Sequence, residues 1–588
     1  MMLGLAPALL LPLWSTFASA PNLLFLLAIS VLLLVSARWT LLPRPLPSIP
    51  YNREAARRIL GDVPELKASS GIRAFMRGQF LRHQSPIVQV FMSPLSRPWV
   101  LIGDFREAHD IAASRYREFD KSTLTSDSFR GIVPQSFVSY KAEHPVYKHS
   151  KELLKDWMTP SFFRSVSAPE TYRNILYLIE LWTLKMELGG GRPFGAARDF
   201  YKVILDVFMS VTFDRESPNT LIKTQTAHLR RDFDPEEYRV DAENPEEPFP
   251  FDDLPLPPDL EAIVYLVESI NIGFQSPVPR LAHWLYLQKP YSRRQTRLRR
   301  GLIEQKISES VARLKATKGQ EPALLAGLDA LLIREKTLAE RVGAPSNPYS
   351  EVVQDELFTF IAGGHDNSAS LCTWWVKFMA LHRKTQTQLR HRLRAAHSNA
   401  VDEHRLPTFD EILDTQVPYL EAIIDETIRC SHIVPITARE ALSDTEILGH
   451  VIPKGTSVYL VSNGPSFLDP AFAVDESLRT PGAHAAKDHY GTWDETNVGD
   501  FVPDRWLRKR GGQEVYDPLA GPQMAFGGGP RGCFGRKMVY LELRIVITLL
   551  TWTFEFLDLD AGFNTFETTE SSTENPQNCN VKLRAVNY

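Results

Sequence analysis

Cysteine is scarce in this chain of 588 residues, which contains four, with no C-x-x-C pair among them. Four such cysteines cannot form a disulfide framework, and they favour a reducing compartment. Neither sign of charge is in large excess, because 66 basic and 70 acidic residues leave a formal net charge of only −4. This balance argues against nucleic acid as a partner. The cysteines are Cys372, Cys430, Cys533 and Cys579.

Internal repeats are also absent, so a repeat architecture is not expected. Apolar residues make up 44% of the chain and aromatic residues 10%. This composition supports a large buried core and excludes a disordered or collagenous protein. The length allows three or four domains, or one unusually large domain.

The amino end lacks charge, since no charged side chain precedes Arg38 and Pro21–Ala37 is a run of 17 uncharged residues. This run lies at the lower limit of the roughly 17–25 residues that cross a bilayer. We expect residues 1–42 to form an uncleaved transmembrane signal-anchor, with the body in the cytosol because basic residues follow the run. The alternative is a signal peptide cleaved near Ala18-Ser19-Ala20.

Residues 43–50 contain four prolines in eight positions and predict a stiff linker. The body, residues 51–588, has mostly helical patterns with short strand patterns between them. We therefore expect a mainly α fold with a small β region, an α+β class. The predicted strands are Ile87–Met92, Pro98–Ile102, Glu446–Ile452 and Ser457–Val461.

One long segment of the body departs from this pattern. Residues 232–260 hold 11 acidic residues, one basic residue and seven prolines. Segments of this composition are usually solvated and irregular. We expect an exposed insertion here.

The most informative segment is Phe526–Gly535, with the sequence FGGGPRGCFG. Its glycines match G-x-G-x-x-G, but the chain ends too soon for a dinucleotide fold, and no Gly-Lys-Ser/Thr follows for a phosphate loop. A thiolate that ligates haem iron needs a backbone that turns tightly around the sulfur and supplies N–H donors. An apolar helix pattern after Cys533 adds the positive end of a helix dipole. We predict that Cys533 is a haem ligand.

The segment resembles the F-x-x-G-x-R-x-C-x-G signature of the cytochrome P-450 superfamily, the haem-thiolate monooxygenases, at Phe526, Gly529, Arg531, Cys533 and Gly535. We expect these five residues to bind the cofactor. Cys533 would ligate the metal, Arg531 would pair with a haem propionate and Phe526 would shield the sulfur. The resemblance implies a cytochrome P-450 fold in one large catalytic domain over residues 51–588.

Three further motifs support the resemblance. Glu426-Thr-Ile-Arg429 is similar to the E-x-x-R pair of the family, and Phe501–Trp506 to the segment whose arginine, here Arg505, joins that pair in a buried triad. Arg439 occupies the position where the family often has a second propionate contact. Residues 142–163 lack the family's W-x-x-x-R, so no propionate ligand is predicted there.

A long helix of the family crosses the distal haem face with the motif A/G-G-x-D/E-T-T. Here the corresponding residues are 363–368, Gly-Gly-His-Asp-Asn-Ser. Asp366 fits the acid, whereas Asn367 replaces the usual threonine and cannot relay a proton as a hydroxyl does. Ser368 lies about 100° further around the helix. We take Asp366, Asn367 and Ser368 as the candidate catalytic residues.

The resemblance implies that haem b, dioxygen and electrons from NADPH oxidise a lipophilic small molecule, with a separate NADPH–cytochrome P-450 reductase as partner. The substrate would be a terpenoid, polyketide or peptide intermediate, as for fungal members of secondary metabolism. With the anchor, this implies a single-pass protein of the endoplasmic reticulum membrane. Two alternatives remain: a haem isomerase, dehydratase or cyclising catalyst that needs no reductase, suggested by Asn367, and a haem-binding protein without catalysis.

Overall fold

The computed structural model describes residues 20–94, 96–213, 220–234, 244–316, 326–570 and 573–586. Helices dominate this part of the chain and the strands are short, which confirms the mainly α fold with a small β region. The α-helices are α1 (Ala20–Leu41), α2 (Val63–Ala68), α3 (Ile72–His83), α4 (Phe105–Ala113), α5 (Thr123–Arg130), α6 (Pro145–Leu154), α7 (Pro160–Phe162), α8 (Ala168–Leu188), α9 (Ala197–Thr212), α10 (Leu221–Asp232), α11 (Pro258–Glu268), α12 (Ile270–Phe274), α13 (Pro279–Leu287), α14 (Pro290–Ala316), α15 (Gly327–Arg341), α16 (Glu351–Leu381), α17 (Arg383–Ala396), α18 (Ser398–Asp402), α19 (Phe409–Asp414), α20 (Pro418–Ser431), α21 (Pro481–His489) and α22 (Arg536–Thr553).

The strands form one larger sheet and several small ones. The larger sheet has the order β1-β2-β8-β5-β3, a second has the order β11-β14-β4, and β6-β7, β9-β10 and β12-β13 form two-stranded sheets. The strands are β1 (Ile87–Val90), β2 (Trp99–Ile102), β3 (Phe119–Lys121), β4 (Phe194–Gly195), β5 (Ile436–Ala441), β6 (Thr445–Ile447), β7 (His450–Ile452), β8 (Ser457–Val461), β9 (Leu507–Arg510), β10 (Gln513–Tyr516), β11 (Phe554–Leu557), β12 (Thr568–Glu570), β13 (Glu574–Pro576) and β14 (Asn580–Ala585).

Helix α16 organises the core. It begins at a Ser350 cap, whose hydroxyl accepts a hydrogen bond from the Val353 N–H, and it continues for 31 residues. At a rise of 1.5 Å per residue it is about 46 Å long. Residues 353–358 and 368–380 of the helix are buried, whereas most of the residues between them are only partly buried, and the helix packs against α9, α20 and α22. One helix therefore contacts both the helix that follows the cysteine loop and the carboxyl-terminal strands.

Three of the four predicted strands are confirmed as β1, β2 and β8. The fourth prediction, one strand over Glu446–Ile452, is wrong, because the segment contains the turn of the β6-β7 hairpin. Leu448 and Gly449 have φ angles of 48° and 75°. Two successive positive φ angles reverse the chain, as in the tight turns of antiparallel hairpins.

The expectation of an exposed acidic insertion is only partly right. Residues 235–243 lie outside the described part of the chain. Beyond them Phe249 is buried, and its ring lies 4.5 Å from that of Phe251. Asp253 forms ion pairs with Arg198 and Lys202 at the start of α9. Aromatic residues thus hold the second half of the segment on the body, where its acids neutralise cations.

The expected single-pass membrane anchor is not supported and is a correction to the sequence analysis. Across the described ranges no helix is both long enough and apolar enough to span a membrane. Helix α1 contains the apolar run, and its uncharged part before Arg38, residues 20–37, has 18 residues. That part measures about 27 Å, less than the roughly 30 Å of a hydrocarbon core.

Candidate active site

Cys533 lies in a tight loop between Phe526 and helix α22. Its N–H donates to the carbonyl oxygen of Phe526 at 2.8 Å. Gly527 and Gly529 have φ angles of 63° and 61°, a backbone region that favours glycine. A Cβ at Gly529 would lie 2.4 Å from the carbonyl oxygen of Ala112. The glycines therefore allow both the turn around the sulfur and close packing on α4.

The sulfur of Cys533 is set among groups that stabilise negative charge. Its side chain is exposed, but protein atoms crowd it, and the resulting loss of solvent raises the pKa of the thiol. Hydrogen bonds from the N–H groups of Gly535 and Arg536, and the cation of Lys151, oppose this rise. Backbone donors and nearby cations of this kind favour a thiolate. The site therefore suits a metal-ligating sulfur.

The other three cysteines do not share this environment. Burial raises the pKa of the Cys579 thiol to about 12, and it raises those of Cys372 and Cys430 further. Cys372 and Cys579 are buried, and Cys430 is half-buried. Such thiols behave as packing residues rather than as ligands.

Three cations converge beside the cysteine loop. Lys121 on β3 lies opposite Arg439 on β5 in the sheet register, and Arg531 forms a 2.7 Å ion pair with Asp120. Arg439 is buried, and its Nη2 has no hydrogen-bond partner in the part of the chain that the structure describes. Burial and Arg531 lower the pKa of Arg439 to about 10. Burial and both arginines lower that of Lys121 to about 7. This surplus of positive charge fits the two propionates of haem.

Tyr147 and Lys151 on α6 lie beside the cysteine loop, and the sequence analysis assigned no role to either of them. The hydroxyl of Tyr147 donates to the carbonyl oxygen of Pro530 at 2.7 Å, and the guanidinium of Arg531 lies 4.3 Å from its ring centroid. The Nζ of Lys151 lies 4.5 Å from the ring centroid of Phe534. The available signal was the spacing Y-x-x-x-K, which keeps the aromatic and cationic character of the family's W-x-x-x-R.

Gly363 on α16 borders open space, and Asn367 lies one turn further along the helix. A Cβ at Gly363 would have no neighbour within 4 Å, whereas one at Gly364 would lie 2.0 Å from the ring of Phe208 on α9. The Nδ2 of Asn367 donates to the Gly363 carbonyl oxygen at 2.7 Å. Its Oδ1 is buried and lacks a partner among the described residues. Asn367 therefore keeps an unused acceptor next to the open face of the helix.

Asp366 and Ser368 have different neighbours. The hydroxyl of Thr573 donates to Oδ2 of Asp366 at 2.9 Å, while the hydroxyl of Ser368 donates to Oε2 of Glu542 on α22 at 2.8 Å. Successive residues of a helix point about 100° apart. The structure thus does not bring Asp366, Asn367 and Ser368 together around one point.

The predicted buried triad is confirmed. Arg429 donates to both carboxylate oxygens of Glu426, at 2.7 and 2.8 Å, and Arg505 donates to Oε1 at 3.0 Å. The indole N–H of Trp506 donates to Oε2 at 2.9 Å. Because these groups are buried, the network is costly to break. It fixes α20 to the segment before the cysteine loop.

These features define a class of protein: a mainly helical fold in which one exposed cysteine, with N–H donors and cations around it, can hold haem through its thiolate. A family model described as Cytochrome P450 matches residues 253–464 and 493–583. The chain is 33% identical to a cytochrome P450 monooxygenase of Pestalotiopsis microspora, over 93% of this chain and 95% of the relative. It is also 33% identical to the cytochrome P450 monooxygenase TRI13 of Fusarium sporotrichioides, over 93% of this chain and 96% of the relative.

A solved structure supports the same fold. A crystal structure of a cytochrome P450 (CYP102L1) is similar with a TM-score of 0.63 and 18% sequence identity, covering 93% of this chain and 99% of that one. The chain therefore belongs to the cytochrome P450 family. It is an oxidoreductase of the monooxygenase type, for which the family implies a haem-thiolate centre, dioxygen, a small-molecule substrate and a redox partner.

Proposed function

We propose that Cys533 would hold haem b through its thiolate and that the protein inserts oxygen into a lipophilic small molecule. The observation that carries this proposal is the contrast between Cys533, exposed with two N–H donors, and the three packed cysteines. When bound, haem supplies the activation of dioxygen, which electron donation from a thiolate promotes. Arg439 and Arg531 would hold the propionates, Phe526 would shield the sulfur, and Gly529 and Gly535 would allow the close approach of the loop.

Three residues of α16 have the other roles in the proposed reaction. Asp366 is the proton-carrying acid, and Asn367, with its unused Oδ1, orders water or a substrate hydroxyl near the open face of the helix. Ser368 would support this arrangement indirectly, because its hydroxyl binds Glu542. In this reading a bound water or hydroxyl replaces the threonine relay of the family.

Electrons would come from NADPH through a separate NADPH–cytochrome P450 reductase. Arg536 and Lys537 are exposed beside Cys533 and suit an acidic partner. Arg544 contributes less to this surface, since it is ion-paired with Glu421. As the substrate class we propose a terpenoid, polyketide or peptide intermediate of secondary metabolism. The support for it is that the relatives are fungal cytochrome P450 monooxygenases.

The ligand assignment is tested with carbon monoxide. Reduced protein should give the red-shifted band that a thiolate ligand causes, and Cys533→His should abolish it while retaining haem. Cys430→Ser is the matched control and should keep the band. An unchanged band in Cys533→His would refute the proposal.

The reaction class is tested by leaving out single components. Product formation from a candidate terpenoid, polyketide or peptide should require NADPH, reductase and dioxygen together. Turnover without NADPH and reductase would instead favour the isomerase or dehydratase that Asn367 suggests. Metabolite profiles of a strain lacking the gene would identify the substrate, since the unoxidised precursor should accumulate.

A further inference from the structure

A buried acid, Asp425, joins helix α20 to α22 and to strand β10 close to the cysteine loop. Its side chain belongs to a residue that is only 2% exposed. Its Oδ1 accepts a hydrogen bond from the hydroxyl of Tyr540 on α22, and its Oδ2 accepts one from the hydroxyl of Tyr516 at the end of β10. These three residues belong to no motif of the site and have no role in the proposed reaction.

The charge state of this group follows from its surroundings. Burial raises the pKa of Asp425 to about 6, although the two hydroxyl donors and the cation of Arg536 oppose the rise. The carboxyl group is therefore ionised at neutral pH. Burial and the Asp425 carboxylate raise the pKa of both tyrosines, so both hydroxyl groups stay protonated and donate. The acid thus holds two phenol rings by charge-assisted hydrogen bonds, which are stronger than neutral ones.

The two tyrosines extend in different directions from the acid. The ring centroid of Tyr540 lies 5.7 Å from that of Phe526, and the guanidinium of Arg536 lies 5.6 Å from both of these ring centroids. A cation at this distance is attracted by the face of an aromatic ring. Tyr516 packs instead against the apolar cluster that contains Trp506. Tyr540 therefore links the acid to the cysteine loop, and Tyr516 links it to another part of the core.

Phe526 and Arg536 are direct neighbours of the metal-ligating residue. The N–H of Cys533 donates to the carbonyl oxygen of Phe526 at 2.8 Å, and the N–H of Arg536 donates to the sulfur. Burial lowers the pKa of Arg536, but Tyr540 and Asp425 together raise it above its usual value, so the side chain stays a cation. Groups beyond a ligand orient it and tune its strength as a donor. Direct contacts thus connect Asp425, through Tyr540, to both neighbours of the sulfur.

We propose that Asp425 is a positioning residue of the cysteine site, which through the hydroxyl of Tyr540 fixes Phe526 and Arg536 beside the sulfur and so keeps the bound sulfur a thiolate. The inference rests on the proposed haem function of Cys533. Once the anchor is lost, the Tyr540 ring and the Arg536 cation are free to shift. Water then reaches the sulfur, and a proton from solvent converts the thiolate to a thiol.

The proposal is tested with Tyr540→Phe in the haem-loaded full chain, with Tyr516→Phe as the matched control. Each variant keeps the ring and removes one hydroxyl that donates to Asp425. We expect Tyr540→Phe to lose about half of the red-shifted carbon monoxide band, because that band requires a thiolate. Tyr516→Phe should keep the band. Equal bands in the two variants would overturn the proposal, since an acid that only joins elements of the fold is affected alike by both losses.

A double-mutant cycle tests whether Tyr540 acts through Asp425. Asp425→Asn removes the charge with little change of shape, and it should lose about as much of the band as Tyr540→Phe. Asp425→Asn combined with Tyr540→Phe should lose no more than either change alone, because both changes release the same anchor. A larger loss in the combined variant would show that Tyr540 acts independently of the acid and would refute the positioning role.

Urea unfolding of the haem-free proteins separates positioning from general loss of stability. Tyr540→Phe and Tyr516→Phe each lose one hydrogen bond and should unfold at similar urea concentrations. Should Tyr540→Phe fail to fold, Asp425→Asn provides the same test, and a fully retained band in that variant would overturn the proposal. Failure of the proposed function itself would instead appear as a missing carbon monoxide band in the parent protein.

Discussion

Lys121 and Arg439 lie directly opposite each other on the neighbouring antiparallel strands β3 and β5. Like charges in this position destabilise a sheet. Burial lowers the pKa values of both groups, the nearby Arg531 lowers both further, and Arg439 adds to the lowering at Lys121. Without a bound anion, this arrangement destabilises the folded protein. It becomes favourable when an anionic group, such as a haem propionate, lies between the cations.

The first prediction follows from this pair. Arg439→Met should stabilise the cofactor-free protein by about 1–3 kcal/mol, because it removes a buried cation with an unpaired N–H group. The same change should speed haem loss by at least tenfold. Urea unfolding without haem, and transfer of haem to an acceptor protein, measure the two effects.

Lys141→Met is the control for this prediction, since Lys141 is ion-paired with Glu440 on the same strand. It should change stability by less than about 1 kcal/mol and leave haem retention unaltered. Slower or unchanged haem loss in Arg439→Met would contradict the propionate assignment.

The second prediction concerns the glycines of the cysteine loop. Gly529→Ala should lose most of the thiolate-type carbon monoxide band, because a Cβ would lie 2.4 Å from the Ala112 carbonyl oxygen and φ is 61°. The left-handed backbone alone costs alanine about 1–2 kcal/mol.

Gly528→Ala is the neighbouring control. Its φ of −155° is open to any residue, and its Cβ would first meet the methyl group of Ala112 at 3.3 Å. Most of the band should survive. Equal loss in both variants would mean that loop crowding in general, rather than the geometry at residue 529, controls the ligand.

The third prediction compares two adjacent helical glycines. Gly364→Ala should destabilise the protein by about 1–3 kcal/mol through overlap with Phe208. Gly363→Ala should stabilise it by up to about 1 kcal/mol, because alanine favours helix and the added methyl group meets open space. Thermal unfolding measures both, and the opposite order of stabilities would show that the open face lies elsewhere. Gly363→Ala should also weaken the substrate-induced spectral shift.

The fourth prediction is a pH effect at Glu542. Burial raises the pKa of this carboxyl from 4.5 to about 8, partly offset by the Ser368 hydrogen bond. A raised folded-state pKa means that the stabilising contribution is complete below pH 4.5 and is lost as pH rises through 8. In this window the loss approaches about 1.4 kcal/mol per pH unit. Glu542→Gln should flatten the dependence in urea titrations between pH 5 and pH 9. Parallel curves for the two proteins would contradict the prediction.

The sequence was sufficient for the parts of the fold and site that depend on local pattern. The loop around Cys533 was predictable because one continuous motif contains all of its residues. The triad of Glu426, Arg429 and Arg505 follows from two short motifs. The neighbours of Asp366 and Ser368 were not predictable in this way. Thr573 is 207 positions from Asp366, and Glu542 is 174 positions from Ser368. No local sequence pattern indicates such distant pairings.

The missed contacts of α6 have a different cause. Tyr147 and Lys151 replace a tryptophan and an arginine with residues of similar character, so a search by identity passes over them. The β6-β7 turn was missed because Leu448 is not a residue that usually indicates a positive φ. In both places the three-dimensional environment, rather than the residue type, determines the contact or the backbone conformation.

The bond between Asp366 and Thr573 also sets a condition on biosynthesis. The ribosome makes Asp366 some two hundred residues before Thr573, and closing so long a segment of chain carries a large entropic cost. A nascent or truncated polypeptide ending before residue 573 would contain the entire Cys533 loop and still lack the hydroxyl that donates to Asp366. Pigment formation during expression would then report completion of the haem loop, but not a chain ready for turnover.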